Sequence, residues 1–287
     1  ISGEPSRAAY EKALAEARGG STPQVRHLYA ARGSRAGREG GAGRLTGAGG
    51  DATPFAATGK GRVATNRPGV THGVLPSGLG YIRLTAWQQS LQGRMVEAIE
   101  ALRDTPGLVI DLRGNPGGSA IMVRNVAARF FGKEKKVAFG RALTRTGKPV
   151  TLAFDWIDLL KIEQELEGTG TYARPVAVLV NAASGSGSEL FSAILQSQRR
   201  ATIVGETTCG CLLAFLGYAP IPGGGKLAYS EVGFLFSDGR RIEGTGVVPD
   251  IDVPLAAGDL AADRDRVLER AVEMLLAKAV GTADERR

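Results

Sequence analysis

Residues 108–112 (LVIDL) and 176–180 (VAVLV) form near-continuous apolar runs, and each passes through a turn of small residues into a stretch with helical spacing. A strand with one wet face alternates apolar and polar residues, so a run that is apolar throughout has to be covered on both faces. Strands and helices then alternate in a β-α-β-α order. Other segments keep the alternation. YIRLTAW (81–87) reads as a strand, and the stretch after it puts Met95, Ile99 and Leu102 on one helical face before Pro106 and Gly107 end it. Helices are expected over 120–131 and 189–198, with a short strand over 201–206. Beyond Cys211 the composition turns β-like with turn glycines as far as Gly246, and 265–280 reads as a closing amphipathic helix. The expectation is an α/β core with a β-rich appendage.

A chain of 287 residues has room for roughly two domains. With 43% apolar and 23% charged residues it has ordinary globular composition, and no apolar run approaches the ~18 residues of a membrane span. Residues 4–18 have the formers and apolar stripe of one helix. Residues 32–62 are dominated by Gly, Ala and Arg and read as a connection, with a domain boundary near Pro68. Much of the net charge of +7 sits between Arg26 and Arg67 without any recognition-helix, finger or stacking signature, so a solvated basic segment is expected and nucleic acid is not. Cys209 and Cys211 are one residue apart, which reads as too close for an unstrained disulfide and too few for structural zinc. His27 and His72 show no metal-ligand spacing, so neither a metal nor a cofactor is expected. No basic-then-apolar leader is legible.

Chemistry is concentrated where the second apolar run turns into its helix. A serine at such a turn holds its hydroxyl clear of the sheet, with backbone N–H groups and the helix dipole aimed at an adjacent oxyanion. Ser184, Ser186 and Ser188 all meet that description, and Ser186-Gly187-Ser188-Glu189 also fits a capping box, in which the serine serves only the helix.

The ordered set GYIRL (80–84), DLRGNPGG (111–118), NAASGSGSE (181–189), VGETTCG (204–210) and EGTGVVPDI (243–251) resembles the C-terminal (tail-specific) processing peptidases, serine family S41. The resemblance covers about 80–253. It implies a crotonase-like core of β-β-α units over 69–256, a partial PDZ-like region and linker over 1–68, and a C-terminal helix and tail over 257–287. It also implies Ser186 as nucleophile and the N–H groups of Gly187 and of Gly117 or Gly118 as oxyanion donors. Where the family commonly carries a general-base lysine this chain has Cys211, and where a helper glutamine is expected it has Phe215. Glu243 stands at the place of an acidic residue used by a serine–histidine subset of the family, although neither His72 nor His27 matches the subset's histidine, and His72 reads as a surface residue. Cys211 is left as a base, a second nucleophile or a small buried hydrophobe. The expected activity is endoproteolysis near protein C-termini, acting on protein or peptide substrates in the cell envelope or outside the cell. The alternatives are a pseudopeptidase that binds peptides without cutting them and, last, an acyl-CoA enzyme on the same fold.

Overall fold

The computed structural model describes residues 62–67, 69–144, 163–212, 216–220, 222–230, 232–254 and 264–284. The helix expected over 4–18, the PDZ-like region, the boundary at Pro68, His27 and Phe215 lie outside the described residues. The strands are β1 (Arg62–Arg67), β2 (Val70–Val74), β3 (Gly80–Leu84), β4 (Leu108–Asp111), β5 (Lys136–Thr144) and β6 (Glu163–Glu167). They continue with β7 (Val176–Val180), β8 (Thr202–Gly205), β9 (Leu216–Pro220), β10 (Lys226–Ser230), β11 (Val232–Phe236) and β12 (Ile251–Asp252). Four α-helices are described, α1 (Gln92–Ala101), α2 (Ala120–Ala127), α3 (Gly187–Ser197) and α4 (Arg266–Asp284).

Seven strands make the main sheet, in the order β1-β2-β3-β4-β7-β8-β12. The pairs β1–β2 and β2–β3 are antiparallel. From β3 onward every pair is parallel. Register sets Leu108 beside Val176 and Asp111 beside Leu179. Alternate residues therefore face opposite ways, and both ways are filled. On one face Ile82, Leu84, Ile110, Val178 and Val180 pack with Met95 and Ile99 of α1, Met122 and Val126 of α2, and Phe191 and Ile194 of α3. On the other, Tyr81, Val109, Leu179 and Val204 pack with Val267, Ala271 and Leu275, one stripe of α4 at helical spacing. Each buried valine or leucine contributes about 1.5–3 kcal/mol on this accounting. The apolar runs of β4 and β7 are explained by this double cover.

The β-rich region beyond Cys211 is not a separate appendage. β9 and β10 form a hairpin, but β11 joins β5 and β6 in a second sheet of order β11-β5-β6. Because β4, β7 and β8 run parallel, the loops that follow them leave the sheet at the same edge, the usual position for a site in an open α/β sheet.

Candidate active site

Three loops meet at that edge: 112–119 after β4, 181–186 after β7 and 206–212 after β8. Asn115, fully buried, joins the first two. Its Nδ2 donates to the Leu84 carbonyl at 2.9 Å, its Oδ1 accepts from the Gly117 N–H at 2.9 Å, and its own carbonyl accepts from the Gly185 N–H at 3.0 Å.

The structure separates the three serines. The Ser184 hydroxyl donates to the Leu112 carbonyl at 2.9 Å. The Ser188 hydroxyl donates to the Asn115 carbonyl at 3.0 Å and accepts from Trp87 Nε1 at 3.1 Å. Both are fully buried and fasten turns together, whereas Ser186 is only half-buried. Ser186 is the N-cap of α3 with φ 48° and ψ −110°, a left-handed conformation that costs a non-glycine residue on the order of 1–3 kcal/mol.

Glycines crowd this serine. A Cβ on Gly117, whose φ is +106°, would stand 2.5 Å from the Ser186 Cβ and 2.7 Å from the Gly187 nitrogen, so no other residue fits there. The Gly117 N–H is committed to Asn115. Gly118 is bridged to Trp87 through its neighbours: Trp87 N–H donates to the Gly117 carbonyl at 3.0 Å, and Ser119 N–H to the Trp87 carbonyl at 2.6 Å. The Gly118 nitrogen would lie 3.2 Å from a Cβ on Gly187, the first residue of α3. The Gly118 and Gly187 amides are thus neighbours beside Ser186, and an N–H in the first helical turn has no partner within its own helix.

Behind the serine, the fully buried Glu189 carboxylate gathers four donors. Oε2 accepts from the N–H of Ser186 and of Cys211, each at 3.0 Å. Oε1 accepts from Thr208 Oγ1 at 2.6 Å and from the Gly210 N–H at 2.7 Å. Burial raises its pKa, opposed by those hydrogen bonds. The capping box legible in the sequence is therefore one corner of a larger assembly that fixes the 208–211 loop against the nucleophile turn. Thr208 Oγ1 in turn accepts from the Val247 N–H at 2.7 Å.

Cys209 and Cys211 are joined by a disulfide, contrary to the expectation from their spacing. Gly210 has φ +68° and folds the chain back, bringing the two Cα atoms to 5.2 Å, inside the ordinary range for a bridge. Cys211 is therefore not a buried free thiol. The bridge lies along the nucleophile turn: Cys209 N–H donates to the Ser184 carbonyl at 3.0 Å, and a Cβ on Gly185 would meet Cys211 Sγ at 2.9 Å.

Glu243 is exposed and lies in the turn fastened to this loop, where Gly244 N–H donates to the Gly210 carbonyl at 2.8 Å. His72 is buried on β2, opposite Ile82, and is not a surface residue as its sequence context suggested. Burial lowers its pKa, partly opposed by Glu97. Among the described residues, no group of three or more His, Cys, Asp and Glu could hold a metal, and no helix is long and apolar enough to cross a membrane.

The sequence model of "Peptidase family S41" matches residues 78–253, a span that contains Ser186, the glycine turn and both cysteines. The chain is 29% identical over 181 residues to a carboxy-terminal-processing protease of Bartonella bacilliformis; the match covers 61% of this chain and 38% of that protein. It therefore spans well under half of that relative. Among solved structures, the photosystem II D1 C-terminal processing protease superposes with TM-score 0.52 at 22% identity, over 66% of this chain and 49% of that one. Mature CPAF superposes with TM-score 0.58 at 17% identity, over 77% of this chain and 54% of that one. Identities this low show a common fold. The family match spans more than half of the chain, which belongs to peptidase family S41.

Proposed function

We propose that this chain is the catalytic part of a serine-type endopeptidase that cleaves proteins near their C-termini through an acyl-enzyme on Ser186. The observation that carries the reading is the half-buried, left-handed Ser186 beside the neighbouring amides of Gly118 and Gly187. Ser186 Oγ attacks the scissile carbonyl, and those two N–H groups hold the oxyanion. Gly117, with its N–H on Asn115, serves by leaving room for the serine. The alternation of strands and helices, with a second sheet formed by β5, β6 and β11, supports a crotonase-like core. A disulfide beside the site supports an oxidising location such as the cell envelope or the exterior.

The same disulfide favours a second reading, a pseudopeptidase that binds peptides without cutting them, because a bridged Cys211 can take no proton from Ser186. The deciding test is intact-mass analysis after incubation with a fluorophosphonate, alongside Ser186→Ala. An adduct on wild type that is lost in the folded variant supports the peptidase; no adduct under either oxidising or reducing conditions supports the binding protein.

A further inference from the structure

We infer that the Cys209–Cys211 disulfide is a second reactive centre, a thiol–disulfide exchange site whose reduction frees Cys211 to serve as the general base for Ser186. The inference rests on the peptidase reading above. The nucleophile turn is bounded by Gly117, whose added Cβ would meet the Ser186 Cβ, by Gly185, whose added Cβ would meet Cys211 Sγ, and by the Glu189 carboxylate, whose Oε2 accepts from both the Ser186 and the Cys211 N–H. A serine hydroxyl attacks a peptide only when its proton has somewhere to go. Of the groups just named, only the Cys211 sulfur and the carboxylate behind it, Glu189, can accept one, and Glu189 already accepts four hydrogen bonds through both oxygens.

The position of the sulfur is fixed from both sides. Cys211 N–H and Ser186 N–H hang on one oxygen, Glu189 Oε2, and Cys211 Sγ lies against the Gly185 backbone, one residue before the nucleophile. The bridge itself is accessible on one side: Cys209 is buried, while Cys211 is half-buried.

A dithiol reductant attacks one sulfur of the bridge, the S–S bond breaks, and the reductant leaves as its own disulfide. Its two electrons and two protons remain on Cys209 and Cys211. Cys211 then loses its proton to solvent. As Ser186 Oγ bonds to the scissile carbonyl carbon, the thiolate takes the Oγ proton. It gives that proton to the departing amine as the C–N bond breaks, and water enters by the same relay to release the acid.

The test measures cleavage of a disordered protein substrate by oxidised wild type, wild type reduced with dithiothreitol, Cys209→Ser, Cys211→Ser and Cys211→Lys. Alkylation with iodoacetamide confirms the thiol state, and thermal melts confirm folding. Expected is a gain on reduction of about 10²- to 10⁴-fold, the usual worth of a positioned base. Cys209→Ser has the same activity without reductant, and Cys211→Ser is inert in both states. Equal activity in oxidised and reduced wild type overturns the inference. So does an active Cys211→Lys beside inert reduced wild type and inert Cys209→Ser, an outcome that leaves the peptidase reading standing. If folded Cys211→Lys is inert as well, the peptidase reading falls together with the inference.

Discussion

Two fully buried carboxylates, Asp111 and Glu189, have surroundings that are opposite in kind. Asp111, at the end of β4, faces charge: Arg113 binds it through Nε at 3.0 Å and Nη2 at 2.7 Å, Arg83 reaches it at 3.4 Å, and the Tyr81 hydroxyl donates at 2.8 Å. Glu189, in the first turn of α3, is held by backbone N–H groups and one threonine hydroxyl. Burial pushes both toward the neutral form. At Asp111 the guanidinium groups overcome it and the pKa falls, whereas at Glu189 neutral donors do not and the pKa rises. The first arrangement is a clamp, because Arg113 also pairs with Asp265 at 2.8 Å and so fixes the start of α4 to the sheet. The second positions loops: four donors from two loops, with no cation, set the distance between Ser186 and the 208–211 loop.

The largest effect belongs to the clamp. Arg113→Ala leaves Asp111 buried with the longer Arg83 contact, the Tyr81 hydroxyl and the backbone N–H of residue 113, and is expected to cost about 3–5 kcal/mol, read from the denaturant midpoint. Because Asp111 lies on the α4 face of the sheet, opposite the face that carries α3, whatever protein remains folded should keep its fluorophosphonate reactivity. Loss of reactivity in folded Arg113→Ala would mean that the two carboxylates form one network. Glu189→Gln comes next, at about 1–3 kcal/mol, since an amide NH2 then faces groups that are themselves donors. Here the effect on activity should exceed the effect on stability, with kcat falling before KM changes, because the substitution disturbs the placement of Ser186 and Cys211 together. A Glu189→Gln enzyme with unchanged kcat would reduce the carboxylate to a helix cap.

A third and smaller effect isolates α4. Asp265 accepts from Arg113 and from the Leu268 N–H at 3.0 Å, the bond of an N-cap to the first turn of its helix. Asp265→Ala should cost about 1–2 kcal/mol, detected as a lower thermal midpoint, and should leave the site's reactivity unchanged.

The sequence discloses what depends on neighbours in the chain and hides what depends on neighbours in space. LVIDL and VAVLV announce strands covered on both faces, and Met95, Ile99 and Leu102 announce the buried side of α1, because each signal lies within one element. β5 and β6 gave no such signal: KVAFGRALT and EQELE interleave charges, as strands of a small sheet with one open side can. Ser184, Ser186 and Ser188 were equivalent locally, and only Leu112, Asn115 and Trp87, contributed by other loops, tell them apart. The Arg113–Asp265 pair joins residues 152 apart. Cys209 and Cys211 could have been read from sequence: the glycine between them permits the positive φ that brings their Cα atoms within bridging range.

The finest distinction between the two carboxylates is the sign of their dependence on pH. Asp111 is more acidic in the folded chain than in the unfolded one, so its contribution is present above its ordinary value of about 4 and fades as pH falls below that toward its folded pKa. Glu189 is less acidic when folded, so the folded chain binds the proton more tightly, and its contribution is largest below about 4 and declines as pH rises through the raised pKa. Comparing wild type with Asp111→Asn across acid pH should give a stability difference that shrinks on acidification, and comparing it with Glu189→Gln one that grows. Denaturant titrations at several pH values read both slopes. Equal signs would mean that four neutral donors hold a buried carboxylate ionised as well as two arginines do, and the division between clamp and positioner would then have to rest on geometry alone.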